Sequence, residues 1–350
     1  MLFRLFFLFV LLNLGTGSCI SPYQPTTQSI GPALVVEGMI TDQPGPYVIK
    51  LTQTSDYSYK ALNLLVTGAI VTISDDRGNQ ETLKEVPETG QYQTSRMQGV
   101  VGRRYQVSIR TSTGKQYESD LELLKAAVPV QKLYYQFRAD PYGLKTEETN
   151  GWDVYVDTKD APGPGDYYRW VWTHYNPISV CNTYRPSRSD TIYSQTCCSP
   201  CWDIVRCANC LTVRSDAAIN GQTISGQFIT RVPYSSTARY YLEVEQQAIS
   251  LGAYRFFDSV HKLTSGTGGL FDAAPAAVRG NIRCTSHPDE LVFGYFGAAG
   301  VSVQAISIDR SGLAVPPTLP PAPIFKYNPP DACFPCANGL IRTTQQPRWW

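Results

Sequence analysis

The stretch Gly102–Arg110, with the sequence GRRYQVSIR, decides the fold. Its apolar side chains, Tyr105, Val107 and Ile109, stand at every second position. Because successive side chains of a β-strand point to opposite faces of the sheet, this spacing predicts a strand with one buried face and one solvated face. The stretch therefore predicts a strand that contributes one face of a β core.

Short strand patterns also precede this stretch, and turn formers such as Pro44-Gly45 and Asp76-Arg77-Gly78 separate them. The patterns cover Ala33–Ile40, Tyr47–Thr54, Ala69–Ser74, Glu81–Val86, Gln91–Ser95 and Tyr105–Thr111. Strands this short and this evenly spaced are typical of a β-sandwich. We therefore predict an immunoglobulin-like or prealbumin-like sandwich domain over residues 33–126.

A second β-rich domain is predicted over residues 127–350, after the extended segment Val128-Pro129-Val130. Asn220-Gly221 predicts a hairpin turn, and the pattern Ser250 to Leu263 predicts one helix, capped by Ser250 and packed on a sheet. The strand patterns of this domain are Tyr167–Thr173, Arg239–Gln246, Asn281–Cys284, Glu290–Phe296 and Val301–Asp309. The predicted fold class is therefore mainly β.

Residues 1–18 have the pattern of a lipoprotein signal peptide. Arg4 precedes the apolar run Leu5–Leu12, and Gly17-Ser18 leads directly into Cys19. The run is shorter than the roughly 20 residues that span a bilayer. We predict cleavage before Cys19, lipidation of its thiol and a tether over residues 19–32. The alternative is an ordinary secretory signal followed by a cysteine by chance.

The charge of the chain excludes one class of partner. Lys and Arg number 30, Asp and Glu number 29, and no basic block is present. Nucleic-acid binding depends on a concentrated basic surface that releases counterions. We therefore expect no nucleic-acid partner, and we expect the lipid to provide the attachment to the membrane.

The chain has ten cysteines, and six of them lie in an insertion over residues 181–210. In an oxidising compartment such a cluster predicts a disulfide-stapled loop. The Cys-x-x-Cys spacings also fit zinc binding or thiol–disulfide exchange, and these alternatives stay open. With Cys19 lipidated, the remaining number is odd, which predicts one free or intermolecular thiol. The disulfide candidates are Cys181, Cys197, Cys198, Cys201, Cys207, Cys210, Cys284, Cys333 and Cys336.

The sequence offers few candidate residues for ligand binding, metal binding or catalysis. Tyr168, Trp170 and Trp172 share one face of the strand Tyr167–Thr173, where they could stack on a sugar or a peptide or form part of the core. Cys284 and His287 could form half of a metal site, although loop or surface histidines are the alternative, as they are for His174 and His261. No catalytic motif is present, so no catalytic residue, metal ligand or cofactor is assigned.

Several motifs occur in an order that resembles a known family. They are Leu34-Val-Val-Glu-Gly-Met-Ile-Thr-Asp42, the cysteine-rich loop, Arg279-Gly-Asn-Ile282, Phe293-Gly-Tyr-Phe-Gly297, Cys333-Phe-Pro-Cys336, Gly339, Pro347 and Trp349. Together they resemble the Bacteroidota lipoproteins grouped as domain of unknown function 4249. The resemblance covers nearly the whole chain after Cys19.

The resemblance implies a lipoprotein of the outer membrane or periplasm, and members of the family are often encoded beside TonB-dependent receptors. It therefore implies a non-enzymatic accessory or ligand-capturing subunit of a TonB-dependent transporter, and it carries over no catalytic residue. The segment Ile20-Ser-Pro-Tyr23 lacks the acidic cluster linked to surface export, which favours the periplasmic side. The alternative function is an extracytoplasmic hydrolase with its carboxylates in the second domain.

Overall fold

The computed structural model describes residues 32–54, 64–139, 150–178, 183–184, 193–194, 201–208, 210–265, 278–313, 317, 339 and 341–347. Across these residues the chain is mainly β with one helix, which confirms the predicted fold class. The predicted signal peptide and the predicted tether, up to residue 31, lie outside the described residues. No helix in the described ranges is long and apolar enough to cross a membrane.

The elements follow one another along the chain. The first ten strands are β1 (Leu34–Thr41), β2 (Val48–Gln53), β3 (Leu64–Leu65), β4 (Ile70–Asp75), β5 (Gln80–Thr82), β6 (Lys84–Val86), β7 (Gln91–Gln93), β8 (Arg104–Arg110), β9 (Gln116–Ser119) and β10 (Glu122–Leu123). The next nine are β11 (Val130–Arg138), β12 (Gly151–Lys159), β13 (Tyr167–Ile178), β14 (Thr183–Tyr184), β15 (Tyr193–Ser194), β16 (Cys201–Arg206), β17 (Val213–Ser215), β18 (Thr223–Pro233) and β19 (Tyr240–Ile249). Helix α1 (Leu251–Thr264), β20 (Ile282–Cys284), β21 (Val292–Ile308) and β22 (Arg342–Thr343) complete the order.

One long sheet of eleven strands organises the molecule, in the order β22-β16-β13-β19-β21-β1-β2-β7-β6, with β17 and β3 pairing beside this path. Its central strand, β21, has 17 residues. The first half of β21 pairs in parallel with β1, and its second half pairs antiparallel with β19. β21 therefore joins two regions of the sheet that pack against different partners.

The first region packs against a six-stranded sheet, β20-β9-β8-β4-β5 with β10. Val36 and Ile49 of the long sheet and Val107 of β8 are completely buried in one shared core cluster. In β8 the side chains of Tyr105, Val107 and Ile109 are buried, while those between them are partly exposed. The alternation read from the sequence is therefore confirmed as the inner face of a sandwich.

The second region packs against a three-stranded sheet, β11-β12-β18. Val154 and Val156 of β12 share a core cluster with Trp170 of β13 and Leu242 of β19. Fully burying a large apolar side chain contributes about 1.5–3 kcal/mol, so these residues hold the second sandwich together.

Helix α1 lies over the opposite face of β21 from the first core. Tyr295 packs with Ala253 of the helix, whereas the next residue, Phe296, is buried in the first sandwich. The Ser250 hydroxyl accepts the Ala253 N–H at 3.1 Å, which confirms the predicted cap.

Two local predictions were wrong. The patterns Glu290–Phe296 and Val301–Asp309 are one continuous strand, because the small residues between them are buried and paired in the sheet. The turn at Asn220-Gly221 exists, but it does not close a hairpin, since β17 pairs with β13 and β18 pairs with β12.

Strands from beyond the predicted boundary at residues 126–127 complete the first sandwich. β20 pairs with β9, and the first half of β21 pairs with β1. These pairings join residues far apart in sequence, so strand periodicity could not reveal them. Residues 33–126 thus lack two strands that their sandwich uses.

Two glycines let the backbone approach closely where β21 begins. A Cβ at Gly280 would overlap the carbonyl oxygen of Gly294, and a Cβ at Gly294 would overlap the carbonyl oxygen of Val36. Gly294 also has φ +87°, a conformation that only glycine adopts readily. The Arg279-Gly-Asn-Ile282 and Phe293-Gly-Tyr-Phe-Gly297 motifs therefore meet through a contact between their glycines.

We predict that Gly294→Ala destabilises the protein more than Gly78→Ala does. Gly78 has a similar φ of +85°, but no atom of the residues that the structure describes lies within 4 Å of an added Cβ, so its variant measures the backbone penalty alone, about 1–2 kcal/mol. Gly294→Ala adds the clash with Val36. Urea unfolding of both variants measures the difference, and equal losses of unfolding free energy would contradict the close approach.

Candidate functional site

The three-stranded sheet carries a row of aromatic side chains on the face that points away from its core. Tyr134, Tyr155 and Phe228 stand opposite one another on β11, β12 and β18. The ring centroids of Tyr134 and Tyr155 are 5.6 Å apart, and those of Tyr155 and Phe228 are 5.9 Å apart. Phe228 is 45% exposed. We call these three residues the aromatic face.

A β-bulge positions the third ring. Val154 pairs with Thr230, but the next residue, Tyr155, pairs with Phe228, so Ile229 is an extra residue in β18. Ile229 is buried in the core. The bulge thus directs Phe228 outwards, into line with the two tyrosines.

Charged side chains surround the aromatic face. Arg231 binds Asp153 through two hydrogen bonds, of 2.6 and 3.1 Å, and Arg138 lies 3.1 Å from the same carboxylate. The hydrogen bond from Arg231 is the main cause that holds the pKa of Asp153 below its usual value. Lys132 lies over the Tyr134 ring, 4.8 Å from its centroid. The rim therefore presents two arginines around one buried carboxylate and a lysine over one of the aromatic rings.

This combination of groups suits contact with another macromolecule. Tyrosine, phenylalanine and arginine are enriched in protein interfaces, because they combine large apolar area with polar groups. Two hydrogen bonds to Asp153 hold Arg231 in place, and an ion pair to the same carboxylate restrains Arg138, before any partner binds. Less side-chain entropy is then lost on association.

The aromatic residues singled out from the sequence lie elsewhere. Tyr168 and Trp170 are 2% and 1% exposed and belong to the second core cluster, and the partly buried Trp172 packs against it. The Trp170 ring N–H donates to the Gln246 side chain at 3.0 Å. Tyr168 and Trp170 are thus core residues, which leaves them no exposed ring to stack on a ligand.

The cysteines that the structure describes have distinct states. Cys207 and Cys210 form a disulfide, which confirms the disulfide interpretation for that Cys-x-x-Cys pair, and Cys201 is also disulfide-bonded. Cys284 is free and buried. The remaining cysteines lie outside the described residues: Cys19, Cys181, Cys197, Cys198, Cys333 and Cys336.

The three histidines have different environments. His174 is buried, its ring is stacked on Tyr240 with centroids 3.5 Å apart, and burial lowers its pKa. His261 is exposed in the last turn of α1, and His287 is exposed on the loop after Cys284. Of the three, His287 is the one beside the free cysteine.

A cluster of three carboxylates in the second sandwich connects two loops through hydrogen bonds. Oxygens of Asp160, Asp166 and Asp216 lie within 4.8 Å of one another. Asp216 accepts the backbone N–H of Asp166 at 3.0 Å, and Asp160 accepts the Tyr168 hydroxyl at 2.5 Å and the Gly221 N–H at 2.8 Å. These bonds tie the segment after β12 to the segment after β17.

A buried polar network, here called the junction, consists of Glu122, Ser250, Asn281 and Tyr295. The Tyr295 hydroxyl donates to Glu122 Oε1 at 2.5 Å, and the Asn281 amide donates to the same oxygen at 3.3 Å. Asn281 also exchanges two hydrogen bonds with the Phe296 backbone. Glu122 Oε2 is buried and has no hydrogen-bond partner among the described residues. Burial raises the pKa of Glu122 despite these donors.

One comparison with known proteins gives a match. The model of a protein family described as Domain of unknown function (DUF4249) matches residues 20–305. The matched residues include the aromatic face and the junction. No curated protein matches the chain.

We predict that Glu122→Gln stabilises the protein increasingly as the pH rises above about 4.5, the ordinary pKa of a glutamate. A raised pKa in the folded state means that deprotonation favours the unfolded chain, and each tenfold difference in proton affinity is worth about 1.4 kcal/mol. The amide keeps the acceptor for Tyr295 and cannot ionise. Urea unfolding of variant and parent at several pH values gives the difference.

Glu37→Gln, which changes an exposed glutamate on β1, is the control and should leave the pH profile of the parent unchanged. A constant difference between Glu122→Gln and the parent across this pH range would show that Glu122 does not have a raised pKa.

Proposed function

The chain belongs to the protein family described as domain of unknown function (DUF4249), and from this premise we propose that it is a non-enzymatic, lipid-anchored accessory subunit of a TonB-dependent outer-membrane transporter. In this proposal the acylated Cys19 holds the protein at the periplasmic side of the outer membrane. The aromatic face docks on the transporter.

The anchor is supported by the sequence around Cys19. The apolar run Leu5–Leu12 and the small residues Gly17-Ser18 precede it, and a tether rich in Ser, Thr, Pro and Gln follows. Two or three acyl chains on one residue hold a protein firmly at a bilayer, whereas a single chain holds it only marginally. Lipidation at Cys19 would therefore be sufficient for attachment.

The aromatic face is the observation that carries the docking proposal. An exposed phenylalanine beside two tyrosines leaves apolar area in water, which a partner surface would cover. The cations Lys132, Arg138 and Arg231 favour a partner with an acidic rim.

One cavity and one carboxylate cluster among the described residues favour surface recognition over small-molecule chemistry. A cavity of about 280 Å³ on the first sandwich is lined by Asp75, Glu81 and Arg103 among others, smaller than the roughly 300–1,000 Å³ of typical ligand pockets. Asp75 and Arg103 are already paired at 2.7 Å. Asp160 and Asp216 hold loops together, so they give the alternative of a hydrolase no support.

We predict that Cys19→Ala releases the protein from the membrane fraction. The parent should carry diacylglycerol on residue 19 in intact-mass spectrometry, and the variant should lack it and appear in the soluble fraction. Thr26→Ala, a change within the tether, should leave both properties unchanged. An unmodified thiol at residue 19 of the parent would end the anchoring proposal.

We predict that Phe228→Ala and Arg138→Ala lower the recovery of a β-barrel partner. Truncating an interface hot spot costs more than about 1 kcal/mol, which is about a fivefold loss of affinity. The measurement is affinity purification of the full protein from native membranes in mild detergent, with partners quantified by mass spectrometry.

The matched control is Ile70→Ala, because Ile70 is 57% exposed on β4 of the first sandwich and should not affect recovery. If no β-barrel protein is recovered with the parent, the transporter proposal fails. If the face variants recover as much as the control does, the aromatic face is not the docking surface.

A further inference from the structure

A second group of side chains, which the proposed docking does not use, lies at the end of β20. Cys284, His287 and Glu290 each offer one ligand atom, and these atoms lie within 4.8 Å of one another. The Cys284 thiol is free and buried, Glu290 is largely buried, and His287 is exposed. The group is therefore reached from solvent through the histidine.

The backbone builds this arrangement locally. The Glu290 N–H donates to the His287 carbonyl at 3.0 Å, which closes a turn through Pro288 and Asp289. Proline at the second position of a turn fixes its backbone angle in advance. The Thr285 N–H donates to the Gln116 carbonyl at 2.8 Å, so the loop is also tied to β9. His287 and Glu290 are therefore held beside the thiol by chain geometry.

The ligand types suit a borderline-soft divalent metal. Thiolate sulfur, imidazole nitrogen and carboxylate oxygen all bind Zn²⁺, with bonds of about 2.0–2.3 Å. Ligand atoms around a tetrahedral ion are then roughly 3.3–3.8 Å apart. The Cys284 sulfur and Glu290 Oε2 are 4.0 Å apart, and the exposed imidazole can turn towards them.

The same carboxylate already attracts a cation. Lys115 Nζ lies 2.7 Å from Glu290 Oε2, and the lysine side chain is 40% exposed. Because that side chain is long and partly solvated, it can leave the carboxylate at a small cost when a stronger cation arrives. The Tyr117 hydroxyl donates to Glu290 Oε1 at 2.7 Å and keeps the carboxylate oriented.

We propose that Cys284, His287 and Glu290 form a zinc-class metal site, with Lys115 as the cation that the metal displaces. Zinc binding releases the thiol proton of Cys284, so the sulfur ligates as thiolate. Three protein ligands leave one coordination position for water. The site lies on the six-stranded sheet and is independent of the proposed docking through the aromatic face.

The test uses the full protein, purified in detergent without reductant, stripped with a chelator and equilibrated with zinc or cobalt. We expect one zinc per chain at this site by elemental analysis. Cobalt should give a thiolate-to-metal charge-transfer band that is lost in Cys284→Ser. His287→Ala should weaken zinc binding at least tenfold, whereas Lys115→Met should strengthen it.

The control is His261→Ala, which removes an exposed histidine from α1 and should leave zinc binding unchanged. His287 is also exposed, so its variant tests the site without disturbing the core. The proposal is overturned if the parent retains no zinc, if the charge-transfer band persists in Cys284→Ser, or if His287→Ala or Lys115→Met binds zinc as the parent does.

Discussion

The pairing of β21 on both sides is the constraint on which the rest of the structure depends. Its 17 residues run without interruption through two sandwiches. A parallel ladder to β1 and an antiparallel ladder to β19 fix its register at both ends. Since a shift by one residue would move Phe296 from the first core to the face that α1 covers, the two cores hold each other in register.

At the start of β21, the pairing of this strand requires close backbone contacts and a buried polar network. Gly280 and Gly294 allow two backbones to touch, and Asn281 supplies an amide that pairs with the backbone of Phe296. Glu122 closes the same region under the first turn of α1, through Tyr295. One oxygen of the buried Glu122 carboxylate has no partner within the described part of the chain, and burying such a group costs free energy. The junction therefore joins α1, β10 and β21 at one point at the expense of some stability.

Local patterns in the sequence predicted several of the local elements. The alternation in Tyr105–Ile109 and the helical spacing after Ser250 involve neighbours along the chain, and both predictions are confirmed. The strands of the three-stranded sheet, β11, β12 and β18, were not predicted. β11 carries aromatic side chains on both faces, with Tyr134 outward and Phe137 packed inward, and β12 is buried over most of its length, so neither shows a clear apolar–polar alternation. The aromatic face could not be predicted either, since it depends on cross-strand register and on a bulge.

Strand register decides which aromatic side chains are buried and which are exposed, and therefore which of them could contact a partner. Tyr168 and Trp170 stand at alternate positions of their strand, as the residues of a ligand-binding strand face would. Both are nevertheless buried in the second core. Phe228 is directed outwards by an extra residue that occupies the core in its place. The aromatic area left for a partner is therefore set by strand pairing rather than by composition. Such a surface suits a rigid body held beside a larger protein, because its side chains are ordered before the contact forms.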